Sequence, residues 1–391
     1  MKSETEEFAM KRVICIFLLV FLLCGCQAEP ETPYVPPVTV SPGAPTTVAP
    51  TEAPTEEPTT LPPATQEPTA APTTEPPTEP VYVPPTEPDV VLYRNPLNGQ
   101  PLDAPYTGRI FSVTISNQKD ALPHRGVNQA DLYFEMLVNS GMTRGLAFFS
   151  NVKAVASIGP IRSCRYPFVD LSKSYKAVLT YGGGAEPVLN YLDASGIPKL
   201  SALQSEVAYR DYDRRDSGYA WEHCLFANGE NLWKIAEKRG VRLEQSADLD
   251  YGLLFRADGT PEGGVTANKI TIDFWNMDSV LEYSPSTGKY LHANYGIELI
   301  DENTGEREGF RNVIVLKVGV GTDEDNYHIN YIEGSGKGYF ACGGKLVPIT
   351  WKRSSDNKPF TFFLEDGTPL ELGVGNTYIA LAPSGYDVIY E

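Results

Sequence analysis

Apolar and polar residues alternate in short, distinct segments along the first half of the folded part of the chain. Runs typical of strands occur at IFSVTISN (110–117), DLYFEML (131–137), RGLAFFSN (144–151) and KAVLTYGG (176–183). Segments typical of helices occur at PFVDLSKSY (167–175), EPVLNYLDAS (186–195) and ENLWKIAEKRG (230–240). Strands that alternate with helices predict an α/β layered N-terminal domain over residues 92–245.

The pattern changes near residue 245, with an uncertainty of about ten residues. Short strand-like runs follow one another at ITIDFW (270–275), SVLEYS (279–284), KYLHAN (289–294), NVIVLKVGV (312–320), HINYIE (328–333), KLVPITW (345–351) and FTFFLE (360–365). Ser-Thr-Gly, Gly-Gly and Asp-Gly turns separate them, and no helical pattern interrupts them. Residues 246–391 are therefore predicted to form a smaller, mainly antiparallel β domain.

The first 26 residues have the pattern of a bacterial lipoprotein signal peptide. Lys11 and Arg12 precede an apolar stretch, residues 13–23, that is short for a membrane span. Met10 is the expected start. The end of this stretch, LCGC, resembles a lipobox, which would make Cys26 the lipidated first residue of the mature chain; the alternative is a plain cleaved signal peptide. We expect an anchor in the cell membrane through Cys26, on the extracytoplasmic face.

A linker is predicted over residues 27–91. Its segment 27–89 contains 19 Pro and 14 Thr, together with ten acids and no Lys or Arg. Such a composition cannot form a core, so the segment is predicted to be disordered and to act as a stalk.

Charge and cysteine content exclude several classes of function. The net charge of −18 argues against nucleic acid as a partner. After removal of the signal and lipidation of Cys26, Cys164, Cys224 and Cys342 remain, which resembles neither a disulfide framework nor a zinc site. No metal site and no cofactor are expected.

Three arginines are the main candidates for binding a ligand. In SIGPIRSCRYPFVDL (157–171), Arg162 and Arg165 are three apart and would share a face if this stretch were helical. Arg144 opens the preceding strand. Guanidinium groups fit phosphate or carboxylate oxygens, so the three could bind an anion. The alternative is a structural network of these arginines with Asp131, Glu135 and Asp170.

Nearby residues add weaker candidates. Cys164 lies between two arginines, which would favour its thiolate. Gly182-Gly183-Gly184 follows a strand and precedes a helix, so Gly183 and Glu186 could form a tight turn or the wall of a cleft. The loop YRDYDRRDSGYAWEHC (209–224) has aromatic and polar side chains suited to a sugar ring, although such loops are commonly solvated surface. His223 in this loop is the weak candidate for a general acid or base.

Several motifs in a fixed order resemble the YerB-like bacterial lipoproteins. They include NQADLYFEMLVNSGMTRGLAFF, GPIRSCRYPFVDLSKSY, YGGGAEPVLNYL and RRDSGYAWEHCLFANGENL, and later GSGKGYFACGGKLVPITWKRSSDNKPFTFF and GNTYIALAP. The resemblance extends from about residue 94 to the end. It implies a two-domain lipoprotein of unassigned activity. Cys164 stands where that family has a small residue, which argues against a catalytic thiol.

YGGGAEPVLNYL and the strand before it are also similar to a segment of the LytR–CpsA–Psr phosphotransferases, over about a dozen residues. That similarity implies arginines on a lipid-linked pyrophosphate, with Asp131 or Asp170 near a metal.

Three functions remain open from the sequence. The first is a non-catalytic envelope module that binds an anionic cell-wall polymer or an envelope protein through Arg144, Arg162 and Arg165. The second is an enzyme acting on lipid-linked wall polymers. The third is a lipoprotein that docks proteins by its β domain. We expect the first.

Overall fold

Strands make up most of the regular structure, and helices are few. The computed structural model describes residues 81–84, 93–323 and 327–391. All of them belong to the unit Glu75–Glu391. The helices are α1 Tyr166–Ser174, α2 Glu186–Ala194, α3 Tyr212–Asp216 and α4 Gly229–Lys238.

The strands up to residue 245 are β1 Tyr93–Arg94, β2 Pro101–Leu102, β3 Phe111–Ser116, β4 Leu132–Asn139, β5 Met142–Phe149, β6 Val178–Tyr181, β7 Lys199–Ser201, β8 Tyr209–Arg210 and β9 Leu225–Phe226. Those that follow are β10 Leu254–Arg256, β11 Val265–Thr266, β12 Lys269–Asp273, β13 Asp278–Ser284, β14 Lys289–Asn294, β15 Ile297–Glu298, β16 Ile300–Asp301, β17 Glu306–Arg307, β18 Gly309–Phe310, β19 Asn312–Thr322, β20 His328–Tyr331, β21 Gly334–Cys342, β22 Lys345–Arg353, β23 Thr361–Leu364, β24 Glu371–Gly373, β25 Thr377–Pro383 and β26 Val388–Tyr390.

One large sheet contains strands from both halves of the chain. Its order is β11-β22-β21-β19-β25-β4-β5-β3-β6-β7, with β20 paired to β19 and β23 to β22. Strand β25 lies parallel to both of its neighbours, so that Tyr378 pairs with Val313 on one side and with Tyr133 on the other. The sheet therefore crosses the boundary expected near residue 245, and the two halves share it.

A second, smaller sheet has the order β15-β14-β13-β12-β26, with β18 paired to β14. It is antiparallel throughout its described pairs, as expected for the second half of the chain.

Each face of the large sheet is buried by its own core. Adjacent residues of β4 point to opposite faces. Phe134 shares one core with Phe168 of α1 and Leu192 of α2. Tyr133 shares the other core with Leu232 of α4 and Phe310 beside the smaller sheet. Because both cores contain residues from both halves, the halves stabilise each other.

Local sequence explains where α4 begins and which face it buries. The Asn228 side chain caps the helix by accepting a hydrogen bond of 2.9 Å from the Asn231 N–H. Leu232, Ile235 and Ala236, spaced three and four apart, are buried. The helix observed at Gly229–Lys238 thus agrees with the one predicted over 230–240.

The end of the predicted linker contacts the fold. The Tyr82 N–H donates a hydrogen bond of 2.6 Å to the Pro285 carbonyl, and the Arg311 guanidinium lies 4.8 Å from the centre of the Tyr82 ring. Residues 81–84 therefore lie against the fold, and the expectation of disorder through residue 91 is wrong for them. The signal peptide, the lipidation site Cys26 and the remainder of the linker lie outside the described residues. Within the described part of the chain, no helix has the length and apolar character needed to span a bilayer.

Candidate functional site

The carboxyl ends of β3 and β6 form one edge of the large sheet. The two strands are parallel, with Val113 opposite Thr180. Strand β5 runs the other way, and Arg144 near its start pairs with Ser116 at the end of β3. Ligands of open α/β sheets bind outside the carboxyl ends of strands, where loops and helix N-termini meet. Arg144 therefore lies at an edge of the sheet that is favourable for ligand binding.

The loop that carries the other two arginines packs against the glycine turn after β6. The Cys164 N–H donates to the Gly183 carbonyl at 2.8 Å, and the Gly182 N–H donates to the Arg162 carbonyl at 2.9 Å. Gly183 has a φ of +82°, which favours glycine. The Gly182 N–H therefore holds the arginine loop.

The reason expected for the proximity of the arginines is wrong. Helix α1 begins at Tyr166, so Arg162 is not helical and Arg165 is the N-cap residue. Hydrogen bonds of the loop to the glycine turn bring the two side chains to the same edge instead.

Two helices begin at this edge. Helix α1 starts directly after Arg165, and α2 starts at Glu186 after the glycine turn. The rings of Tyr166 and Tyr191 are 5.4 Å apart and hold the helices side by side. A helix N-terminus carries a partial positive charge, so both helices make the edge more positive.

Arg144, Arg162 and Arg165 lie together here, and we call them the arginine cluster. Arg144 Nη1 donates to the Ser163 carbonyl at 2.8 Å, and Arg165 Nη1 donates to the Cys164 carbonyl at 2.7 Å. Backbone carbonyls of the same loop thus fix two of the three guanidinium groups.

The remaining described partners of the cluster are also neutral. Arg162 Nη2 donates to Gln118 Oε1 at 3.0 Å. The Arg165 guanidinium lies 4.2 Å from the centre of the Tyr327 ring. Nothing in the sequence connects Gln118 or Tyr327 to the arginines, because both are brought in from distant segments by the fold.

No member of the arginine cluster forms an ion pair with a carboxylate among the described residues. Arg144 and Arg165 are each only 6% exposed. Burial lowers the pKa of Arg144 well below its usual value, and the charges of Arg165 and Arg162 lower it further. The charges of Glu222 and Asp323 act on Arg162 and Arg165 from a distance, without an ion pair to either arginine. The cluster is therefore a largely buried concentration of positive charge that no described carboxylate contacts directly.

Several buried nitrogen atoms at this edge have no hydrogen-bond partner among the residues that the structure describes. They are Nε of Arg162, Nε of Arg165 and Nδ1 of His223. His223 is buried, and its pKa is lowered by that burial and then by the charge of Arg162. His223 therefore lies close enough to join the positive edge, as a neutral ring rather than as a cation.

This arrangement suits an anion with several oxygens. Burying a charge without a partner costs several kcal/mol, by an order-of-magnitude estimate, and a bound anion removes much of that cost. Guanidinium groups donate paired hydrogen bonds to phosphate and carboxylate oxygens. The chemistry available at the edge is binding and charge compensation.

None of the acids predicted to share this site forms an ion pair with the arginine cluster among the described residues. Asp131 is at the opposite end of the β4–β5 hairpin, where its Oδ2 accepts a hydrogen bond of 2.6 Å from the Ser150 N–H. Asp170 lies within α1 and accepts a hydrogen bond of 2.6 Å from the Tyr191 hydroxyl. Glu186 is exposed at the start of α2. Of the predicted set, the structure brings together the arginine cluster, Gly183 and His223.

The expected activation of Cys164 by its arginine neighbours is wrong. Burial raises the pKa of Cys164 to about 12 despite the nearby charges of Arg165 and Arg144. The desolvation of a thiolate outweighs those attractions. Cys164, Cys224 and Cys342 are all buried and free, so none of them forms a disulfide.

Ion pairs connect two residues of the charged loop 209–224, Asp211 and Arg214, to other segments. Arg125 pairs with Asp211 at 2.7 Å and with Glu302 at 2.6 Å, and Arg214 lies 3.5 Å from the same Glu302. These arginines differ from the arginine cluster in having carboxylate partners.

A buried network of histidines and glutamates connects the two halves of the chain. His124 Nδ1 lies 2.7 Å from Glu308 Oε1, and His292 Nδ1 lies 3.3 Å from Glu308 Oε2. His292 Nε2 lies 3.5 Å from Glu135 Oε2, within ion-pair distance although not aligned for a hydrogen bond. All four residues are fully buried. Glu135, expected from the sequence as a partner of the arginines, is compensated by His292 instead.

We expect stability to be greatest between about pH 4.5 and 6.5 because of this network. Burial opposes the charge on His292, but Glu135 and Glu308 prevail and raise its pKa from 6.5 to about 9. Its contribution is complete below pH 6.5 and is lost as pH rises towards 9. Burial likewise opposes the charge on Glu135, but His292 lowers the pKa of Glu135 from 4.5 to about 2. That contribution is lost as pH falls from 4.5 towards 2.

Denaturant unfolding of the wild type and of His292→Gln between pH 6.5 and 9 checks this expectation. One group changes the free energy of unfolding by up to about 1.4 kcal/mol per pH unit. The variant should lose less stability over this range than the wild type. An equal loss would show that His292 is not the titrating group.

Comparison with known proteins agrees with the fold. Residues 97–242 match the N-terminal domain, and residues 270–379 the C-terminal domain, of the protein family of unknown function DUF3048. A curated relative from Bacillus subtilis, named "Putative lipoprotein YerB", is 24% identical over 303 residues, which cover 74% of this chain and 88% of the relative.

The crystal structure of the YerB protein from Bacillus subtilis matches with a TM-score of 0.66 and 21% identity, over 76% of this chain and 99% of that one. At that identity the match establishes the fold alone. Both domains of one family are present in the order expected from the sequence motifs. The chain belongs to the YerB-like family of two-domain, mostly β proteins.

Proposed function

We propose that the protein is a membrane-anchored, extracytoplasmic lipoprotein that binds an anionic component of the cell envelope through its arginine cluster. The observation that carries the proposal is the burial of Arg144 and Arg165 without an ion-pair partner among the described residues. The signal-like sequence ending at Cys26 and the name of the Bacillus subtilis relative support the anchor.

An acidic protein with a local positive site is suited to selective binding of an anion. The overall charge of −18 repels polyanions from most of the surface. The arginine cluster supplies local positive charge that offsets this repulsion, and the N-termini of α1 and α2 add to that charge. An anionic wall polymer is a suitable ligand, because it carries many anionic groups and any one of them can occupy the arginine cluster.

The phosphotransferase alternative is not proposed. It needs Asp131 or Asp170 free to hold a metal beside the arginines, whereas Asp131 accepts a hydrogen bond from the Ser150 N–H at the far end of its hairpin and Asp170 accepts one from the Tyr191 hydroxyl. Binding without catalysis therefore fits the described geometry better.

Retention of the purified chain on isolated bacterial cell wall tests the proposed function. Arg162→Ala/Arg165→Ala should reduce retention at least tenfold, since each charged hydrogen bond contributes about 1.5–3 kcal/mol. Arg239→Ala/Lys269→Ala removes the same charge from surface ion pairs and should bind like the wild type.

Cell wall from which the phosphate-containing polymers have been extracted shows whether the protein binds these polymers or the remaining wall. The wild type should lose retention on this material. Equal retention of the wild type and the cluster variant on intact wall would eliminate the proposed function.

A further inference from the structure

A separate cavity of about 350 Å³ opens beside the carboxyl ends of β19 and β25. Its wall includes Leu137, Trp275, Val320, His328, Pro383 and Tyr386. None of the three clustered arginines lines it. The volume is of the order needed for one sugar ring or one large side chain.

Trp275 occupies an unusual position in this wall. It lies in the turn between β12 and β13, is 50% exposed, and has a φ of +80°. The backbone N–H of Trp275 donates a hydrogen bond of 2.6 Å to Asp273 Oδ1. A left-handed conformation is unfavourable for a bulky residue and is found preferentially at functional sites. The fold therefore holds an exposed indole in a strained turn at the cavity mouth.

His328 supplies an unpaired polar atom next to this indole. The two rings are 6.0 Å apart and nearly perpendicular. Nε2 of His328 is buried and has no hydrogen-bond partner within the described part of the chain. Burial lowers the pKa of His328, and its ring makes a backbone hydrogen bond to Gly321. The ring is thus fixed in the cavity wall, with Nε2 enclosed just behind the surface.

The wall carries no Asp, Glu, Lys or Arg among its described residues, and it includes hydroxyls of Thr322 and Ser384. An aromatic face beside uncharged hydrogen-bonding groups matches a neutral sugar ring, whose C–H face packs on an indole while its hydroxyls pair with polar atoms. An apolar side chain offers no hydrogen-bonding group to the hydroxyls of Thr322 and Ser384, which binding would then leave unpaired.

The cavity is connected to the arginine cluster through one short segment. Tyr327 and His328 are adjacent, and adjacent residues of an extended segment point in opposite directions. Tyr327 contacts Arg165, while His328 contacts Trp275. A polymer that carries both sugars and anions could therefore contact both places.

We infer that the Trp275–His328 cavity binds one neutral sugar ring of the same anionic glycopolymer that occupies the arginine cluster. The sugar site itself stands on the cavity and its unpaired histidine. Only the statement that one polymer fills both sites rests on the proposed function.

Calorimetric titration of the purified full chain with oligomers of N-acetylglucosamine and of glucose tests the inference. The wild type should bind at least one of them saturably. Trp275→Gly removes the indole and relieves the left-handed strain, so it should remain folded and bind at least tenfold more weakly. His328→Ala should also weaken binding. Tyr93→Ala, which removes an exposed aromatic side chain outside the cavity wall, should bind like the wild type.

The same titrations distinguish failure of this inference from failure of the proposed function. Arg144→Met/Arg165→Met should keep sugar binding, and Trp275→Gly should keep pyrophosphate binding. Absence of saturable sugar binding by the wild type, or equal binding by folded Trp275→Gly, would overturn the sugar site. Saturable binding only of an apolar peptide would assign the cavity to protein docking and overturn it as well.

Discussion

Replacement of Glu135 by alanine is expected to lower the free energy of unfolding by about 3–5 kcal/mol, because it removes one of the two acids that pair with the buried His292 and leaves buried hydroxyls unpaired. Glu135 is fully buried in β4. Its Oε2 accepts hydrogen bonds from the Ser279 hydroxyl at 2.8 Å and from the Tyr378 hydroxyl at 2.6 Å. Removal of the carboxylate also leaves the charge of His292 with Glu308 as its remaining acid.

The effect should extend across the large sheet. Tyr378 belongs to β25, the strand that joins the two halves, and Ser279 belongs to β13 of the smaller sheet. Glu135 thus connects three strands that are far apart in sequence.

Denaturant unfolding measures this loss. Glu371→Ala, at an exposed glutamate of β24, is the matched control and should change stability by no more than about 0.5 kcal/mol. A loss below about 1 kcal/mol for Glu135→Ala would mean that the histidines of the network are neutral and that the charge network is absent.

Replacement of Arg144 by methionine is expected to separate stability from binding. Methionine preserves much of the aliphatic volume and removes a buried charge that is repelled by Arg165 and Arg162. The free energy of unfolding without ligand should stay the same or rise by about 1–3 kcal/mol. The lost hydrogen bond to the Ser163 carbonyl offsets part of that gain.

Binding should change in the opposite direction. Together with Arg165→Met, the substitution should weaken the affinity for an anion by roughly a hundredfold or more, the sum of two charge-assisted interactions. Sites that bind charged ligands commonly reduce the stability of the unliganded protein.

Arg214→Met is the control for this comparison. Arg214 is buried like Arg144, but it lies 3.5 Å from Glu302 and donates to the Ala121 carbonyl at 2.6 Å. Arg214→Met should lower the free energy of unfolding and leave anion binding unchanged. If Arg144→Met were destabilised as much as Arg214→Met, Arg144 would be a structural residue.

Local patterns predicted many elements, but not their assembly. The helix predicted over 186–195 is observed at Glu186–Ala194, and the strand predicted over 289–294 at Lys289–Asn294. Strand β21 was not predicted, because glycines at 334, 336 and 338 are unfavourable in strands. The placement of β25 between β19 and β4 depends on pairing across a long sequence separation, which periodicity does not report.

The candidate site was predicted in part for a similar reason. The types of residue at 144, 162 and 165 indicated anion chemistry directly. Their partners are determined by tertiary contacts, so the sequence could not show that Asp131 lies at the far end of its hairpin or that Tyr327 packs on Arg165. Likewise, proximity of Cys164 to arginines was visible in the sequence, while its burial was not.

Titration of the purified protein with inorganic pyrophosphate at two ionic strengths is the most direct test of whether the arginine cluster is an open anion site. We predict saturable binding that weakens at higher salt, persists in Arg214→Met and is abolished in Arg144→Met/Arg165→Met. Unchanged binding by that double variant, or no saturable binding by the wild type at low salt, would contradict the account.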